Sequence, residues 1–335
     1  MPRKPTAALA IIALLAAAVS ACSARGDAAA PPGHVVLRYQ GSANAVLLPE
    51  LAEDLGYLGD VKLKWVGNTI SGPQDIQSAA TGQTDFGGAF TGAVVKLIKA
   101  GAPAKAVINY YGEDAKTFNG FYVKADSSIH TARDLIGKTI GVNTLGAHSE
   151  AVIDTYLTKN GLTQAEIKKV QLVPLPPNST EEALRKGQID VGALGGILQD
   201  HAVATGGLRS LFSDYALFGA FDGGQYVLRD DFVKKNPEAS RTFVTAVAKA
   251  IEWERTTPKA KVIAEFTKIV NGRHRNESTA NLKYWKSVGI PSHGGLISDH
   301  DFTIWTSWLS SARVVKADAF TPAEYYTNDL NGLKQ

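Results

Sequence analysis

The chain carries one cysteine in 335 residues, Cys22. That scarcity excludes an internal disulfide, a thiolate metal site and a cysteine-rich iron centre. The seven histidines, at 34, 130, 148, 201, 274, 293 and 300, show no H-E-x-x-H spacing or other zinc pattern. An excess of charge is missing too. The 35 basic residues face 32 acidic ones, and without Arg3 and Lys4 the balance is 33 to 32. No basic surface therefore invites nucleic acid. The apolar run AALAIIALLAAAV, residues 7 to 19, has 13 residues, where about 20 are needed to span ~30 Å of hydrocarbon. No motif pairs a nucleophile with an oriented base. The composition and motifs thus give no sign of an enzyme, and no cofactor is expected. No internal repeat is present.

The front end is informative. Arg3 and Lys4, a short apolar stretch and the small residues Val19-Ser20-Ala21 form an export signal and not a membrane helix. The signal meets Cys22, and this arrangement resembles the bacterial lipoprotein signal, in which that cysteine becomes an acylated N-terminus. An ordinary cleaved signal, with Cys22 a bystander, is the other reading. Acyl chains at about 0.8 kcal/mol per buried methylene would hold the protein on the outer face of the cytoplasmic membrane. Residues 1–22 are read as the signal and 23–33, SARGDAAAPPG, as a flexible tether.

Hydrophobic content of 44% supports a globular core in the rest. From His34 onward β-rich runs alternate with helical patterns. VVLRY (35–39), VKLKWV (61–66), residues 84–88, 104–110 and GFYVK (120–124) read as strands. A second series places strands at 139–142, 170–173 and 189–194, with helices at 147–160, 179–187 and 196–205. Ser179 and Glu182 are read as capping the helix at 179. QYVLR (225–229) reads as a returning strand, and the chain beyond 230 reads as helical, with Asn236-Pro237 and Thr257-Pro258 as helix starts. Such alternation implies an α/β fold with mostly parallel sheets covered by helices. Two series suggest two lobes, 34–124 with 225–335, and 125–224, hinged by two connections.

Ligands of open α/β sheets sit beyond the carboxyl ends of strands, where helix N-termini offer free N–H groups and about half a positive charge. Four turns are of this kind: 40–45 with Ser42 and Asn44, 87–92 with Phe90 and Thr91, 143–149 with Thr144, Gly146, His148 and Ser149, and 193–197 with Gly195. His148 is either a bystander on a helix face or a donor to a bound anion, its pKa raised by that anion. Asp222, in FDGGQ, is either a turn residue or the partner of a ligand ammonium. Phe90 and Phe221 are candidate apolar walls. Trp305 and Trp308, one helical turn apart, are assigned to packing.

Three stretches carry a family resemblance: AATGQTDFG (79–87), ARDLIGKTIGV (132–142) and ALRKGQIDV (183–191). The chain resembles the solute-binding components of ATP-driven importers for nitrate, taurine and alkanesulfonates, which include binders of thiamine precursors. The resemblance implies a two-lobed type II periplasmic-binding-protein fold. It implies a monomer that passes a small organic anion, such as an aliphatic sulfonate, to permease and ATPase subunits. It also implies Ser42, Asn44, Phe90, Thr91, Thr144, Gly146, His148 and Ser149 in the cleft. Where sulfonate binders tend to carry a Trp, this chain has Gly192-Ala193-Leu194-Gly195-Gly196, which leaves volume for a ligand bulkier than taurine. A pyrimidine or aromatic-anion binder, or an extracytoplasmic sensor, are the alternatives.

Overall fold

The computed structural model describes residues 35–334; the signal, the tether and Cys22 lie outside them. In chain order the first series is β1 (Val36–Gly41), α1 (Leu48–Asp54), β2 (Lys62–Asn68), α2 (Gly72–Ala80), β3 (Phe86–Phe90), α3 (Thr91–Lys99) and β4 (Ala104–Glu113). The second is β5 (Asn119–Lys124), β6 (Thr139–Val142), α4 (His148–Lys159), α5 (Gln164–Ile167), β7 (Gln171–Pro174), α6 (Pro177–Arg185), β8 (Val191–Gly195), α7 (Gly196–Thr205), β9 (Leu208–Ser213) and α8 (Asp214–Phe218). Then β10 (Phe221–Arg229) leads into α9 (Asp230–Lys235), α10 (Pro237–Thr256), α11 (Lys259–Gly272), α12 (His300–Thr303) and α13 (Thr306–Ser311).

The strands form three sheets. β1 and β2 pair in parallel, Val36 opposite Lys62. β10 lies between β3 and β4 and runs antiparallel to both. The third sheet has the order β7-β6-β8-β5-β9, with β6 parallel to β7 and β8, and β5 antiparallel to β8 and β9. β5 therefore belongs with the second series, although its sequence adjoins the first. The chain changes sheet between Glu113 and Asn119, ahead of the expected boundary at 124/125. It returns at Phe221, which pairs with Glu113, so the returning strand starts four residues before the alternation of QYVLR shows it.

Local chemistry sets most helix starts. Pro49 stands in the first turn of α1, and the Glu50 carboxylate accepts from the Leu47 N–H at 3.0 Å. α10 begins at Pro237, as expected, because proline gives up an N–H that a first turn cannot use. Two starts differ. α6 opens at Pro177, so Ser179 falls inside its first turn and caps nothing. α11 opens at Lys259 with Pro258 as the cap residue. Beyond α11 the chain is less helical than expected, with turns and short 3-10 segments around α12 and α13. Trp305 is fully buried, 4.7 Å from the Phe90 ring, and Trp308 packs beside it.

Candidate functional site

Four helices of nine or more residues begin at one cavity of about 500 Å³, a size suited to a small organic molecule. Gly72 and Pro73 open α2, Ala147 to Ser149 open α4, Pro177 and Thr180 lie in the first turns of α6, and Gly195-Gly196 open α7. They come from both sides of the sheet change: α2 precedes β3, and α4, α6 and α7 follow the third sheet's strands. The residues before α4 and α7, Ala147 and Gly195, have no side chain able to cap, and Ser71 before α2 makes no capping bond. First-turn N–H groups are left for a guest. Tyr110, Tyr111 and Phe90 supply rings, and Ser42, Thr117, Asn143, Thr144 and Ser149 supply polar groups. Among the described residues, no lysine or arginine lines the cavity.

The rim is drawn together. Ser71 Oγ is 3.3 Å from Thr144 Oγ1, and the Asn143 carboxamide donates to the Ile70 carbonyl at 3.4 Å. Lys96 of α3 donates to the Gly146 carbonyl at 3.0 Å, and Lys286 pairs with Asp200 of α7 at 2.5 Å. Each contact joins a segment of the first or C-terminal part to the second series.

One wall is acidic. Glu113, at the end of β4, is 2% exposed. The Asn119 carboxamide donates to its Oε1 at 3.0 Å, while the Asn119 main-chain N–H donates to Asp214 Oδ1 at 3.0 Å. His148 Nδ1 lies 3.4 Å from Asn119 Nδ2, and its Nε2 lies 3.4 Å from Asp214 Oδ2. Burial, and then the nearby Asp214, holds the Glu113 carboxyl well above the usual carboxylate range. Burial pushes Asp214 up to about 7 and His148 down to about 3. At pH 7 His148 is thus a neutral imidazole, and Glu113 is shifted toward its uncharged form.

Six of the residues singled out in the sequence line the cavity: Ser42, Phe90, Thr144, His148, Ser149 and Gly195. Five do not. Asn44 adopts φ 64°, and its Oδ1 accepts from the Ser278 N–H at 2.7 Å, so it shapes a turn against the 277–278 segment. Thr91 is fully buried and bonds to Gly223 and Gln225. The Gly146 N–H donates to Glu150. Phe221 stands behind His148, ring centroids 6.0 Å apart. Asp222 is buried in β10 beside Ser292, and so is neither an exposed turn residue nor a wall of the cavity. His148 is no surface bystander, being 8% exposed and wedged among Phe90, Tyr111 and Trp305. Sequence reading missed Tyr110, Tyr111, Glu113 and Asn119. The one available signal was β continuing past 110 into Tyr-Tyr-Gly-Glu.

Residues 51–261 match the family described as NMT1/THI5 like. No curated protein sequence matches the chain. The alkanesulfonate-binding protein SsuA of Xanthomonas axonopodis pv. citri, solved bound to MOPS, has a TM-score of 0.66 at 20% identity, covering 86% of this chain and 96% of that one. The periplasmic nitrate-binding protein NrtA of Synechocystis PCC 6803 has a TM-score of 0.65 at 13% identity, covering 90% and 88%. The desulfurization enzyme DszB has a TM-score of 0.59 at 15% identity, covering 89% and 97%. At such identities the likeness is one of fold: mixed α/β with helix-flanked sheets, as in type II periplasmic binding proteins. Because the family match spans more than half of the sequence and the fold agrees with it, the chain belongs to the NMT1/THI5-like family.

Proposed function

We propose that the protein is the extracytoplasmic solute-binding component of an ABC importer, anchored through Cys22 and working as a monomer. Its two lobes, one on the first two sheets with the C-terminal helices and one on the third sheet, hinge at residues 114–118 and 219–220. They close on a small organic anion, an aliphatic sulfonate in the first instance, and present it to the permease. The observation that carries this reading is the set of helix starts, from both sides of the sheet change, on a cavity that no basic side chain lines among the described residues. A sulfonate or carboxylate there would take main-chain N–H donors and the positive ends of helix dipoles. Its organic part would lie on Phe90, Tyr110 and Tyr111. The raised pKa of Glu113 lessens its opposition to an anion. Micromolar binding needs about −8 kcal/mol, within reach of a few charge-assisted hydrogen bonds and one apolar wall.

Titration calorimetry with alkanesulfonates, taurine, nitrate and aminopyrimidines tests the reading. Micromolar binding of a sulfonate, with the compound recovered unchanged, is expected. Folded protein that binds no organic anion would refute it. Binding of the pyrimidine alone would move the assignment to that class, and turnover of the compound would argue for an enzyme.

A further inference from the structure

The histidines show no metal spacing along the sequence, yet the fold gathers one of them with two acids. Glu113 ends β4, His148 opens α4, and Asp214 follows β9, so three separate elements deliver them. One ligating atom from each lies within 4.8 Å of the other two, and all three residues are buried. This is the one such group of three or more among the described residues.

A second observation goes beyond clustering. His148 Nε2 and Asp214 Oδ2 are both buried without a hydrogen-bond partner, and they lie 3.4 Å apart without the alignment of a hydrogen bond. Such groups are costly to leave unsatisfied. The remaining oxygen of Asp214 is held by the main-chain N–H groups of Asn119 and Tyr215, at 3.0 and 2.7 Å. The carboxyl is thus oriented with its free oxygen turned into the gap.

We propose that Glu113, His148 and Asp214 bind one divalent transition-metal ion, with zinc as the reference case, leaving a coordination position open to the ligand cavity. One imidazole and two carboxylates suit such ions. Three protein ligands with a fourth position free is the arrangement that admits an outside oxygen. Two carboxylates and a divalent ion sum to zero charge, which suits a site where, among the described residues, no lysine or arginine lies on the cavity wall. Zinc–ligand distances of roughly 2.0–2.2 Å require the three groups to contract by about 1 Å. With the ion on Nε2, the ring proton moves to Nδ1. A turned Asn119 carboxamide accepts it, and the same turn releases Glu113 Oε1 for the ion. Glu113 and His148 both line the cavity, so an oxyanion there can reach the fourth position.

The test omits any organic ligand, so its failure leaves the anion reading standing. The full chain is stripped with chelator, dialysed against micromolar free zinc and assayed for metal content and thermal melting. One equivalent of zinc is expected, with a melting temperature that rises with zinc. D214N and E113Q, which preserve side-chain shape, should each weaken zinc by roughly tenfold or more. H201A, which alters the partly exposed His201–Glu181 pair, should not. Circular dichroism establishes which variants are folded, and either carboxyl variant suffices. The proposal is overturned if the wild type takes up no zinc. It is equally overturned if zinc binds but a folded D214N or E113Q binds it as well.

Discussion

At the scale of single residues, Gly195 shows how the cavity depends on close approach. Its φ is −133°, which any residue can adopt, so conformational freedom is not the reason for glycine. A Cβ built there would meet Asn119 Oδ1 at 2.1 Å. Asn119 is the residue that holds Glu113 with its carboxamide and Asp214 with its N–H. G195A should therefore push the carboxamide out of place and cost about 1–3 kcal/mol by overpacking, read as a shift in the urea midpoint. In an N119A background the same substitution should be close to neutral, since the clashing atoms are gone. An equal cost in both backgrounds would show that the contact is not what requires glycine.

At the scale of elements, the end of α11 is fastened to α1 by a buried acid. Glu50 Oε1 accepts from the Tyr39 hydroxyl at 2.6 Å and from Arg275 at 2.8 Å, and its Oε2 accepts from Arg273 at 2.7 Å. Arg273 also pairs with Glu277 and reaches the Ala45 carbonyl, so the turn that carries Ser42 is braced from the C-terminal region. Removing one partner of a buried ion pair leaves the others uncompensated. E50A should cost about 3 kcal/mol or more, measurable by chemical unfolding. A cost below ~1 kcal/mol would mean that the arginines find water instead. The sequence shows the elements themselves well, because first-turn prolines and period-two burial in β1 are local signals. It hides the partnerships. Nothing near Glu50 announces two arginines more than 200 positions away. Asn44 reads as a ligand contact from its turn, but its partner is Ser278. The acidic wall is hidden for the same reason, because the change of sheet after Glu113 is decided by strand pairing and not by neighbouring residues.

Across the whole molecule, several carboxyls are buried where desolvation outweighs the pull of any nearby cation. Burial pushes Asp75 and Asp222 up to about 7, Asp154 up to about 6 and Glu254 up to about 8. Each is raised above its unfolded value near 4, so the folded state keeps protons that the unfolded state releases. Their contribution to stability is fully present at acid pH and is lost as pH rises through the folded values, between about 4 and 8. His148 acts in the opposite sense. Its folded pKa of about 3 lies below the free value of 6.5, so its contribution is lost as pH falls below 6.5. Glu166, held down to about 2 by the Thr163 N–H, the Thr163 hydroxyl and Arg133, likewise favours the fold only above its unfolded value. These four carboxyls, with Asp214 and Glu113 shifted in the same sense, outweigh one imidazole between pH 5.5 and 8, since each tenfold change in proton affinity is worth about 1.4 kcal/mol. The protein should therefore be more stable at pH 5.5 than at pH 8, by on the order of a few kcal/mol. Thermal melts at fixed ionic strength measure this. E254Q, which removes the acid beside Trp285, should flatten the fall above pH 7 without abolishing it. A melting temperature that holds level or climbs from pH 5.5 to 8 would mean that water or counter-ions reach these carboxyls in solution.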